Sequence, residues 1–577
     1  MKKKNCFKTL VLCSLAAFGF AACNDAWEDH YQVNEKLNPT ETLWDVISNR
    51  TDLSEFAAAL KKTGYDKLFQ GDRYYTVWAP KNGTVTVAFG DSLLQMEFVE
   101  NHVADYNHPA SGTLEDNRIE LVNGKYCEFV GASGNYTFKT VPLVEKNIAA
   151  KNGTLHVING FATFTPNIWE RLAKIDSLSL INEFLRSFDE VKFSESQSVQ
   201  GPIVNGQITY LDSVTVENNR WFSYIGRLNR EDSTYIMIAP TNRAWREMYE
   251  KSFNYFKFPK TKEFADSLQR YLAKEAICKH LVFSKGWNHI KDEDAFLADA
   301  DSLISNYYSS MNGIKFYNWY YYTNEFGKRT DRIPAELGGY RGEIDDLFRD
   351  TQKEELSNGS LYITDKLGFT PIKCWHDTIK IEGESGLYVE GTTCTTEVES
   401  INKDSVDIYK HISKGHYAVF TPTTSRGNPT ITFTIPNVLS APYLIKVVFV
   451  PANIINKKET ELLPNKFNWS IQYTPTNGKV ETQTLGKAIS NDPTRIDTLT
   501  LIPSGKMNGE AITTDYVEFP CNEYGASFSD IKTQLILKSN VSSSDKASDR
   551  TFRIDCVILE PVDKETYQKM AAAAKFD

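Results

Sequence analysis

Cysteine, excess positive charge and recognisable catalytic motifs are all scarce in this chain. Nine cysteines in 577 residues are too few for a disulfide-stabilised scaffold. Acidic residues outnumber basic ones by 74 to 64, and the net charge of −10 disfavours nucleic-acid binding through a broad basic surface. The sequence contains no GxSxG, CxxC, HExxH, GxGxxG or P-loop motif. We therefore predict a protein that is not an enzyme, takes no cofactor and has no nucleic-acid partner.

The acidic segment from Asp292 to Asp301 is a weak candidate for a metal site. Phe296 and Leu297 occupy the fifth and sixth positions of a would-be calcium loop, where an oxygen ligand and glycine belong. A solvated helix face or loop explains the segment better, so we predict no metal site. A glycosidase needs only two carboxylates without fixed local spacing, so a glycan-cleaving enzyme stays open as a third functional class.

Long hydrophobic runs are absent beyond the N-terminal segment. No later stretch approaches 18 consecutive apolar residues, so we do not expect the remaining chain to span a membrane. Lys2, Lys3 and Lys4 form a positive segment before a short apolar run at residues 10–22, which is typical of a signal peptide. This run leads into Phe-Ala-Ala-Cys, which resembles the lipobox of bacterial lipoproteins. The resemblance implies that residues 1–22 are a lipoprotein signal peptide and that Cys23 carries the lipid anchor; an ordinary signal peptide is the alternative.

Residues 23–40 are predicted to be an acidic tether. Asp25, Glu28 and Asp29 follow Cys23, and this stretch resembles the surface-export signal of Bacteroidetes lipoproteins. The resemblance implies a protein of the bacterial outer membrane, attached by its N-terminal lipid and facing the cell exterior. Two or three acyl chains on one cysteine suffice for stable membrane attachment. A plain solvated tether is the alternative.

The central part of the chain contains the same ordered set of markers twice, which predicts a duplicated domain. In each copy a strand-like run ends in Ala-Pro-x-Asn, a histidine-containing segment follows, and a later Asn-Gly strand leads to Phe-Thr-Pro. The second copy has longer segments between the markers, which indicates two insertions. The markers lie at residues 75–82, 101–103, 152–159 and 164–166, and again at 235–242, 279–282, 358–365 and 369–371.

Helices are predicted near the start of both copies. In the first, apolar residues repeat at helical spacing over residues 53–60, Gly64 is placed to end the helix, and Asp52 is placed to cap its N-terminus. In the second, Ser179 is placed to cap a similar helix. Both helices are expected to bury one apolar face.

The markers resemble the fasciclin-like domain family, whose hallmarks are a strand running through Ala-Pro-x-Asn into a helix and a closing Asn-Gly strand. The resemblance implies two α+β domains at residues 41–172 and 173–372, the second with insertions. His102, His156 and His280 are predicted to make internal hydrogen bonds, since no two histidines lie at metal-ligand spacing within one marker.

Residues 373–577 are rich in Thr, Val, Ile, Ser and Asn, with frequent turn residues. Apolar residues alternate with threonines over 430–435, and similar runs lie at 443–449 and 552–559. Such runs predict an all-β, jelly-roll-like sandwich, which makes the expected fold multidomain: two α+β fasciclin-like domains followed by this sandwich. The pattern resembles carbohydrate-binding jelly rolls, which implies glycan binding; a sandwich that only supports its neighbours is the alternative.

Aromatic residues make up 12% of the chain, and residues 316–322 hold six aromatics in seven positions. Aromatic faces stack on sugar rings and anchor protein interfaces. We therefore take Tyr317, Trp319 and Tyr321 as candidate binding residues. A strand whose alternate rings fill the core is the alternative, and a glycan and a protein interface remain equal options for an exposed segment.

Two functional hypotheses follow from these patterns. The first is a non-catalytic cell-surface lipoprotein that binds a glycan, a partner protein or both, as an accessory of a glycan-import system of the SusC/SusD kind. The second is an adhesin for host matrix or for other cells, as the fasciclin resemblance implies.

Overall fold

The computed structural model describes most of the chain beyond its N-terminal segment, and the chain divides into two compact units, Met1–Pro166 and Asn167–Asp577. Cys23 lies outside the described residues, together with the predicted signal peptide and most of the tether. Within the described part, no helix has the length and apolarity that crossing a membrane requires. The described residues are 39–85, 92–115, 117–196, 198–204, 206–212, 215–284, 307–313, 315–317, 322–323, 329–330, 343–401, 411–455, 462–564 and 567.

The first unit packs helices against a mixed sheet. Phe56 and Leu60 are buried at the predicted helical spacing and share a core with Val77 and Leu155 of the sheet. The helix ends as predicted at Gly64, whose φ of +81° is the left-handed conformation that glycine adopts without strain. The helices are α1 (Leu43–Ser48), α2 (Ser54–Thr63), α3 (Tyr65–Leu68) and α4 (Ser92–Glu100), with a 3₁₀ turn at Thr51–Leu53.

The sheet of the first unit has seven strands in the order β2-β1-β7-β6-β5-β4-β3. Strands β1 and β7 are parallel, and the other neighbours are antiparallel. The strands are β1 (Tyr75–Pro80), β2 (Val103–Asp105), β3 (Arg118–Glu120), β4 (Tyr126–Ala132), β5 (Asn135–Phe138), β6 (Val141–Ala150) and β7 (Gly153–Ile158). Every residue of β1 and β7 is buried, as expected for central parallel strands.

The N-terminal cap of α2 differs from the prediction. Asn82 Oδ1 accepts a hydrogen bond from the backbone N–H of Glu55 at 3.0 Å. Asp52 instead forms an ion pair with Arg50 at 2.7 Å. The predicted cap was wrong because the orphan N–H of this helix is satisfied by a residue that is close only in the folded chain.

The second unit begins with helices and a four-stranded sheet of order β13-β12-β19-β18. The helices are α5 (Ile168–Leu172), α6 (Ser179–Arg186), α7 (Phe222–Ile225), α8 (Asn242–Phe253), α9 (Ala265–Cys278), α10 (Glu343–Phe348) and α11 (Pro371–Cys374), with 3₁₀ turns at Asp176–Leu178 and Asn254–Phe256. The strands are β8 (Asp189–Phe193), β9 (Val199–Val204), β10 (Gln207–Asp212), β11 (Thr215–Asn219), β12 (Tyr235–Pro240), β13 (Val282–Ser284), β14 (Tyr307–Ser309), β15 (Lys315–Tyr317), β16 (Tyr322–Thr323), β17 (Arg329–Thr330), β18 (Thr351–Leu356) and β19 (Gly359–Thr364).

The parallel strand pair has the same register in both units. Tyr75 is opposite Gly153 in the first, and Tyr235 is opposite Gly359 in the second. In both pairs the pairing continues through six residues to the proline that ends the first strand. The two segments that contain the repeated markers therefore have the same central strand pairing.

The strand pairing shows which residue of the second unit is equivalent to His102. The N–H of Trp78 donates to the carbonyl of His102, and the N–H of Ile238 donates to that of Leu281, both at 2.9 Å. His102 thus corresponds to Leu281, one position beyond the His280 that the sequence pattern suggests.

Helix α6 is capped like α2. Asn242 Oδ1 accepts from the backbone N–H of Leu180 at 3.0 Å, and Asn242 Nδ2 donates to the Asp176 carbonyl and to Ser179 Oγ. The prediction that Ser179 caps this helix was wrong, because Ser179 only helps to hold the asparagine that does.

The C-terminal part of the second unit is a sandwich of two antiparallel sheets. One follows β22-β23-β33-β25-β28, with β20 beside β33 and β31 beside β25, and the other follows β21-β24-β32-β26-β27. Phe467 on one sheet contacts Phe449 and Phe552 on the other, at ring-centroid distances of 5.5 and 5.8 Å. The strands are β20 (Ile379–Glu382), β21 (Val389–Thr392), β22 (Cys394–Ser400), β23 (His416–Pro422), β24 (Thr430–Thr434), β25 (Pro442–Phe449), β26 (Lys466–Tyr473), β27 (Glu481–Ser490), β28 (Asp497–Thr500), β29 (Lys506–Met507), β30 (Glu510–Ala511), β31 (Val517–Glu518), β32 (Gln534–Ser539) and β33 (Phe552–Pro561), with 3₁₀ turns at Ser413–Gly415 and Phe528–Asp530.

The predicted alternation in this region is confirmed. Ile431, Phe433 and Ile435 are fully buried, while the threonines between them face outward and are partly exposed. The all-β prediction for the C-terminal region is thus correct in its coarse form: strands in two facing sheets.

Candidate functional site

The predicted binding residues fall largely outside the described part of the chain. Tyr317 is the last residue of β15 and pairs with Tyr307 of β14. Trp319 and Tyr321 lie outside the described residues, as does Cys23. The aromatic segment and the lipid anchor therefore remain predictions from sequence.

Hydrogen bonds join the helical part of the second unit to the sandwich. The backbone N–H of Ser440 donates to the Tyr255 carbonyl at 3.0 Å, and Ser440 Oγ donates to the Asn254 carbonyl at 2.8 Å. The backbone N–H and Nδ2 of Asn522 both donate to the Lys257 carbonyl at 2.8 Å. These bonds fix the 3₁₀ turn after α8 to the edge of the sandwich, so the two parts meet at a defined junction.

A buried histidine lies in this junction. His376 is fully buried, with its ring 5.1 Å from that of Tyr255 and 4.7 Å from that of Tyr443. Burial penalises the imidazolium and lowers the pKa of His376 to about 4. The ring is therefore neutral at physiological pH and packs as an aromatic group.

The junction between the helical part and the sandwich also contains a cleft of about 250 Å³. The cleft combines aromatic rings, charged groups and an imidazole contributed by α9, the segment after α11 and the loop before β32. We call it the junction cleft and define it by Glu275, Lys279, His280, Trp375, Asp377 and Tyr524.

Two of the residues that line the junction cleft each contain an enclosed, unpaired polar atom. His280 is 5% exposed and Trp375 is 9% exposed. His280 Nδ1 and Trp375 Nε1 are both enclosed, and neither has a hydrogen-bond partner among the described residues. Burial, and then the charge of Lys279, lower the pKa of His280 to about 4, although a hydrogen bond to the Cys374 backbone favours protonation. The imidazole is therefore neutral at physiological pH.

The outer wall of the junction cleft carries a charged pair and an aromatic ring. Lys279 forms an ion pair with Glu275, and its Nζ lies 5.9 Å from the centroid of the Tyr524 ring. Burial is the largest single effect and would lower the pKa of Lys279, but the hydrogen bond to Glu275 and the electrostatic effects of Tyr524 and Glu275 together outweigh it, so the pKa is raised. Tyr524 packs edge-to-face on Phe256, with centroids 6.0 Å apart. The cleft thus presents fixed polar groups beside apolar ring surface, as small-molecule sites do.

One group of side chains in the sandwich has the composition of a metal site. Candidate ligand atoms of Glu382, Asp555 and Cys556 lie within 4.8 Å of one another. The ammonium groups of Lys380 and Lys414 lie 3.8 and 3.5 Å from Glu382 Oε1 and already balance its charge. Burial raises the pKa of the Cys556 thiol and raises that of Asp555 to about 6. A protonated thiol is a poor metal ligand, so this group is better suited to holding the lysines.

The histidines of the first unit make internal hydrogen bonds, as predicted. His102 Nδ1 is 2.7 Å from the Phe98 carbonyl, and His102 Nε2 accepts from the Ala162 N–H at 2.9 Å. His156 Nε2 is 3.0 Å from the His108 carbonyl. Burial lowers the pKa of His102 and of His156 to about 4. Both rings are neutral structural groups rather than general bases.

Sequence reasoning missed the junction cleft. Trp375 stands beside the predicted boundary of the sandwich, but His280 and Tyr524 lie about 100 and 150 residues away from it along the chain. No local motif connects residues at such separations, and no sequence signal could have placed them together.

Comparison with known proteins assigns part of the first unit to a domain family. The family model of the fasciclin domain matches residues 51–162. A curated relative, transforming growth factor-beta-induced protein ig-h3 from Sus scrofa, is 26% identical over 129 residues, which are 21% of this chain and 19% of the relative. The chain therefore spans about a fifth of the length of that relative. Residues 51–162 are a fasciclin domain.

Two solved structures are similar over larger parts of the chain. The FAS1 domain pair of the insect cell adhesion molecule Fasciclin I is 11% identical with a TM-score of 0.19, covering 56% of this chain and 98% of that one. The CBM22-1 xylan-binding domain of Paenibacillus barcinonensis Xyn10C is 10% identical with a TM-score of 0.20, covering 33% and 96%. Since these identities and scores are low, the fasciclin assignment rests on the family model.

Proposed function

We propose that this chain is a non-catalytic cell-surface lipoprotein that binds a glycan, a partner protein or both. The observation that carries the binding role is the junction cleft, where the exposed ring of Tyr524 lies beside the charged pair of Lys279 and Glu275. A concave site that combines aromatic surface with a few polar groups is typical of ligand-binding pockets.

The state of the buried titratable groups supports a non-catalytic role. His102 and His156 are neutral and occupied by backbone hydrogen bonds. Burial raises the thiol pKa of Cys127 to about 12 and that of Cys521 to about 11, which opposes the thiolate needed for nucleophilic attack.

The proposed domain organisation has two fasciclin-like domains before the sandwich. The first contains the fasciclin domain at 51–162. For the second, at residues 173–372, support comes from the shared register of the parallel strands and from Asn242, which repeats the hydrogen bonds of Asn82.

The proposed location is the outer surface of a bacterial outer membrane, with the lipid on Cys23. The motif that ends in Cys23 and the acidic residues after it support this location. A surface position fits an accessory role in a glycan-import system of the SusC/SusD kind, in which this chain holds glycan near the transporter. Protease treatment of intact cells carrying a tagged chain tests the orientation, because protection of the tag would contradict an outward-facing protein.

Adhesion to host matrix or to other cells is the second candidate, and the fasciclin domain at 51–162 favours it. Isothermal titration calorimetry of residues 24–577 against a polysaccharide panel separates the candidates. Heat of binding to a polysaccharide supports the glycan role. Absence of binding to every polysaccharide, together with attachment of beads coated with this fragment to matrix proteins, would favour adhesion and overturn glycan capture.

A further inference from the structure

We propose that the first unit carries a separate binding surface, centred on the exposed ring of Tyr106, for an internal stretch of a neutral polysaccharide chain. We call this surface the tyrosine platform and define it by Arg73, Tyr74, Asp105, Tyr106 and Asn107. The inference rests on the proposed glycan role and names the side chains of the first unit that carry it.

Tyr106 combines high exposure with a strained backbone. Its side chain is 78% exposed, and its φ of +67° lies in the left-handed region that bulky residues avoid. A ring this exposed contributes little to core packing, so packing does not explain the conformation. Strained residues of this kind cluster at binding and catalytic sites, where the surrounding structure holds them in place. The backbone strain at Tyr106 therefore points to a functional role for its ring.

Hydrogen bonds hold the backbone on both sides of Tyr106. Its N–H donates to the Tyr74 carbonyl at 3.2 Å, and its carbonyl accepts from Thr76 Oγ1 at 2.7 Å. The backbone N–H of His108 donates to the same threonine oxygen at 3.0 Å. Because Thr76 is fully buried in the central strand β1, the loop is fixed to the core of the sheet. A ligand that meets such a fixed loop orders little additional backbone on binding.

The immediate neighbours of Tyr106 supply polar groups at fixed positions. Asn107 Oδ1 accepts from Thr154 Oγ1 at 2.9 Å, and the Tyr74 hydroxyl lies 3.0 Å from the same threonine oxygen. Arg73 Nη2 pairs with Asp105 at 2.7 Å, while 68% of the arginine side chain stays exposed. An asparagine amide has two N–H donors and a guanidinium has five, so both groups can donate further hydrogen bonds.

The open position of the ring favours a long ligand. Sites for small molecules are concave and enclose most of the ligand, whereas a ring that is 78% exposed has little protein around it. A single sugar would therefore make few contacts with the tyrosine platform. A polysaccharide chain crosses an open surface and contacts it through several units. The Tyr106 ring then stacks on the C–H face of one sugar, while Asn107 and Arg73 donate to hydroxyl groups.

The charges of the tyrosine platform favour a neutral polysaccharide. The positive charge of Arg73 is balanced by the carboxylate of Asp105, so the pair selects neither an anionic nor a cationic chain. The same pair disfavours a protein partner, because the centres of protein interfaces are apolar and contain few charged residues. A neutral chain with many hydroxyl groups fits this combination of one aromatic ring and N–H donors.

Affinity electrophoresis of residues 24–577 tests the ligand class. The gels contain mixed-linkage β-glucan, arabinoxylan, galactomannan or, as the charged counterpart, polygalacturonic acid. We expect at least one neutral polymer to retard the protein more strongly than polygalacturonic acid does, and its free monosaccharides not to compete at equal sugar concentration. The strongest retardation in polygalacturonic acid would overturn the neutral specificity. Full competition by a monosaccharide would overturn the requirement for a chain.

Substitutions assign the binding to the tyrosine platform. Tyr106→Gly removes the ring and adopts the left-handed backbone without strain, so it should weaken binding about tenfold or more without lowering the melting temperature. Tyr106→Phe keeps the ring and should stay within about twofold of the parent affinity. Phe264→Gly is the matched control, because Phe264 is 79% exposed with a φ of +55° in the second unit. Its affinity should equal that of the parent chain.

The outcomes separate this proposal from the proposed function. If a polysaccharide binds and Tyr106→Gly leaves its affinity unchanged, the tyrosine platform is wrong while the glycan role stands. An equal loss in Phe264→Gly would also overturn the platform. If Tyr106→Gly melts at a lower temperature, Tyr106→Asn replaces it, because asparagine tolerates the left-handed region and has no ring. If no polysaccharide binds, both proposals fail, and bead attachment to matrix proteins that Tyr106→Gly abolishes would assign the surface to adhesion.

Discussion

Asn152 and Asn358, which lie in the turns before β7 and β19, make the same set of hydrogen bonds. Asn152 Oδ1 accepts from the N–H of Leu43, the first residue of α1, at 2.8 Å, and its Nδ2 donates to the carbonyls of Phe69 and Gly71. Asn358 Oδ1 accepts from the first residue of α5 at 2.9 Å, and its Nδ2 donates to two carbonyls before β12. In both units one buried amide ties the closing strand to the first helix and to the loop before the central strand.

Removing either amide should destabilise its own unit. Asn152→Ala leaves the buried N–H of Leu43 without its acceptor, which costs about 1–3 kcal/mol, and also removes the two hydrogen bonds to the carbonyls of Phe69 and Gly71. We expect a loss of roughly 3 kcal/mol or more in the unfolding of Met1–Pro166, with little change in the second unit. Urea denaturation followed by fluorescence and by limited proteolysis checks this. Asn358→Ala should instead destabilise the second unit and leave the first nearly unchanged. Asn135→Ala alters an exposed residue and should destabilise neither unit.

The helix-capping residues can be separated by substitution. Asn82→Ala removes the acceptor for the N–H of Glu55, which should destabilise the first unit by about 1 kcal/mol. Asp52→Ala removes only an ion pair with Arg50 near the surface, worth roughly 0–1 kcal/mol. Chemical denaturation of both variants compares them directly. A larger loss of stability for Asp52→Ala than for Asn82→Ala would show that Asp52 caps the helix, as the sequence predicts.

The stability of the first unit should fall as the solution is acidified. His102 and His156 have pKa values of about 4 in the folded chain, against the ordinary 6.5. Between these pH values the unfolded chain binds more protons than the folded chain. Each histidine should therefore lower the free energy of unfolding by about 1.4 kcal/mol for each pH unit of acidification. The effect begins below about pH 6.5 and ends near pH 4. Melting temperatures of residues 24–577 between pH 4.5 and 7.5 measure it.

Asp555 should act in the opposite direction in the second unit. Burial raises its pKa to about 6, so the folded chain takes up this proton before the unfolded chain does. The destabilisation caused by its buried charge is relieved as pH falls from about 6 towards the ordinary value of 3.8. Asp555→Asn should therefore steepen the acid-induced loss of stability in this unit. An identical pH dependence with and without the substitution would contradict the assignment.

Thiol reactivity should follow burial. Residues 24–577 contain six cysteines, of which Cys394 is partly exposed and the other five are buried. We expect a chromogenic disulfide reagent to label Cys394 first in the folded chain and the remaining thiols only on unfolding. Cys394→Ser should remove the early phase. Rapid labelling of Cys127 or Cys278 would show that these thiols are not enclosed.

Local patterns predicted much of the secondary structure. The alternation around Phe433 placed a strand with one buried face, and the helical spacing before Gly64 placed α2 with its correct end. Both predictions depend on which face of a single element is apolar, and the order of consecutive residues determines that face. The repeated markers predicted a duplicated domain, while the parallel pairing of the marker strands came from the structure.

The sequence alone determined the fasciclin resemblance, the repeat and the β-rich C-terminal region, because those signals are periodic or local. Only the tertiary structure decided the helix caps, since Asn82 and Asn242 reach their N–H partners across 27 and 62 residues of chain. It alone brought His280, Trp375 and Tyr524 to one cleft. Residues that come into contact only through folding have no fixed spacing in the sequence, because the loops between them can differ in length without changing the contact.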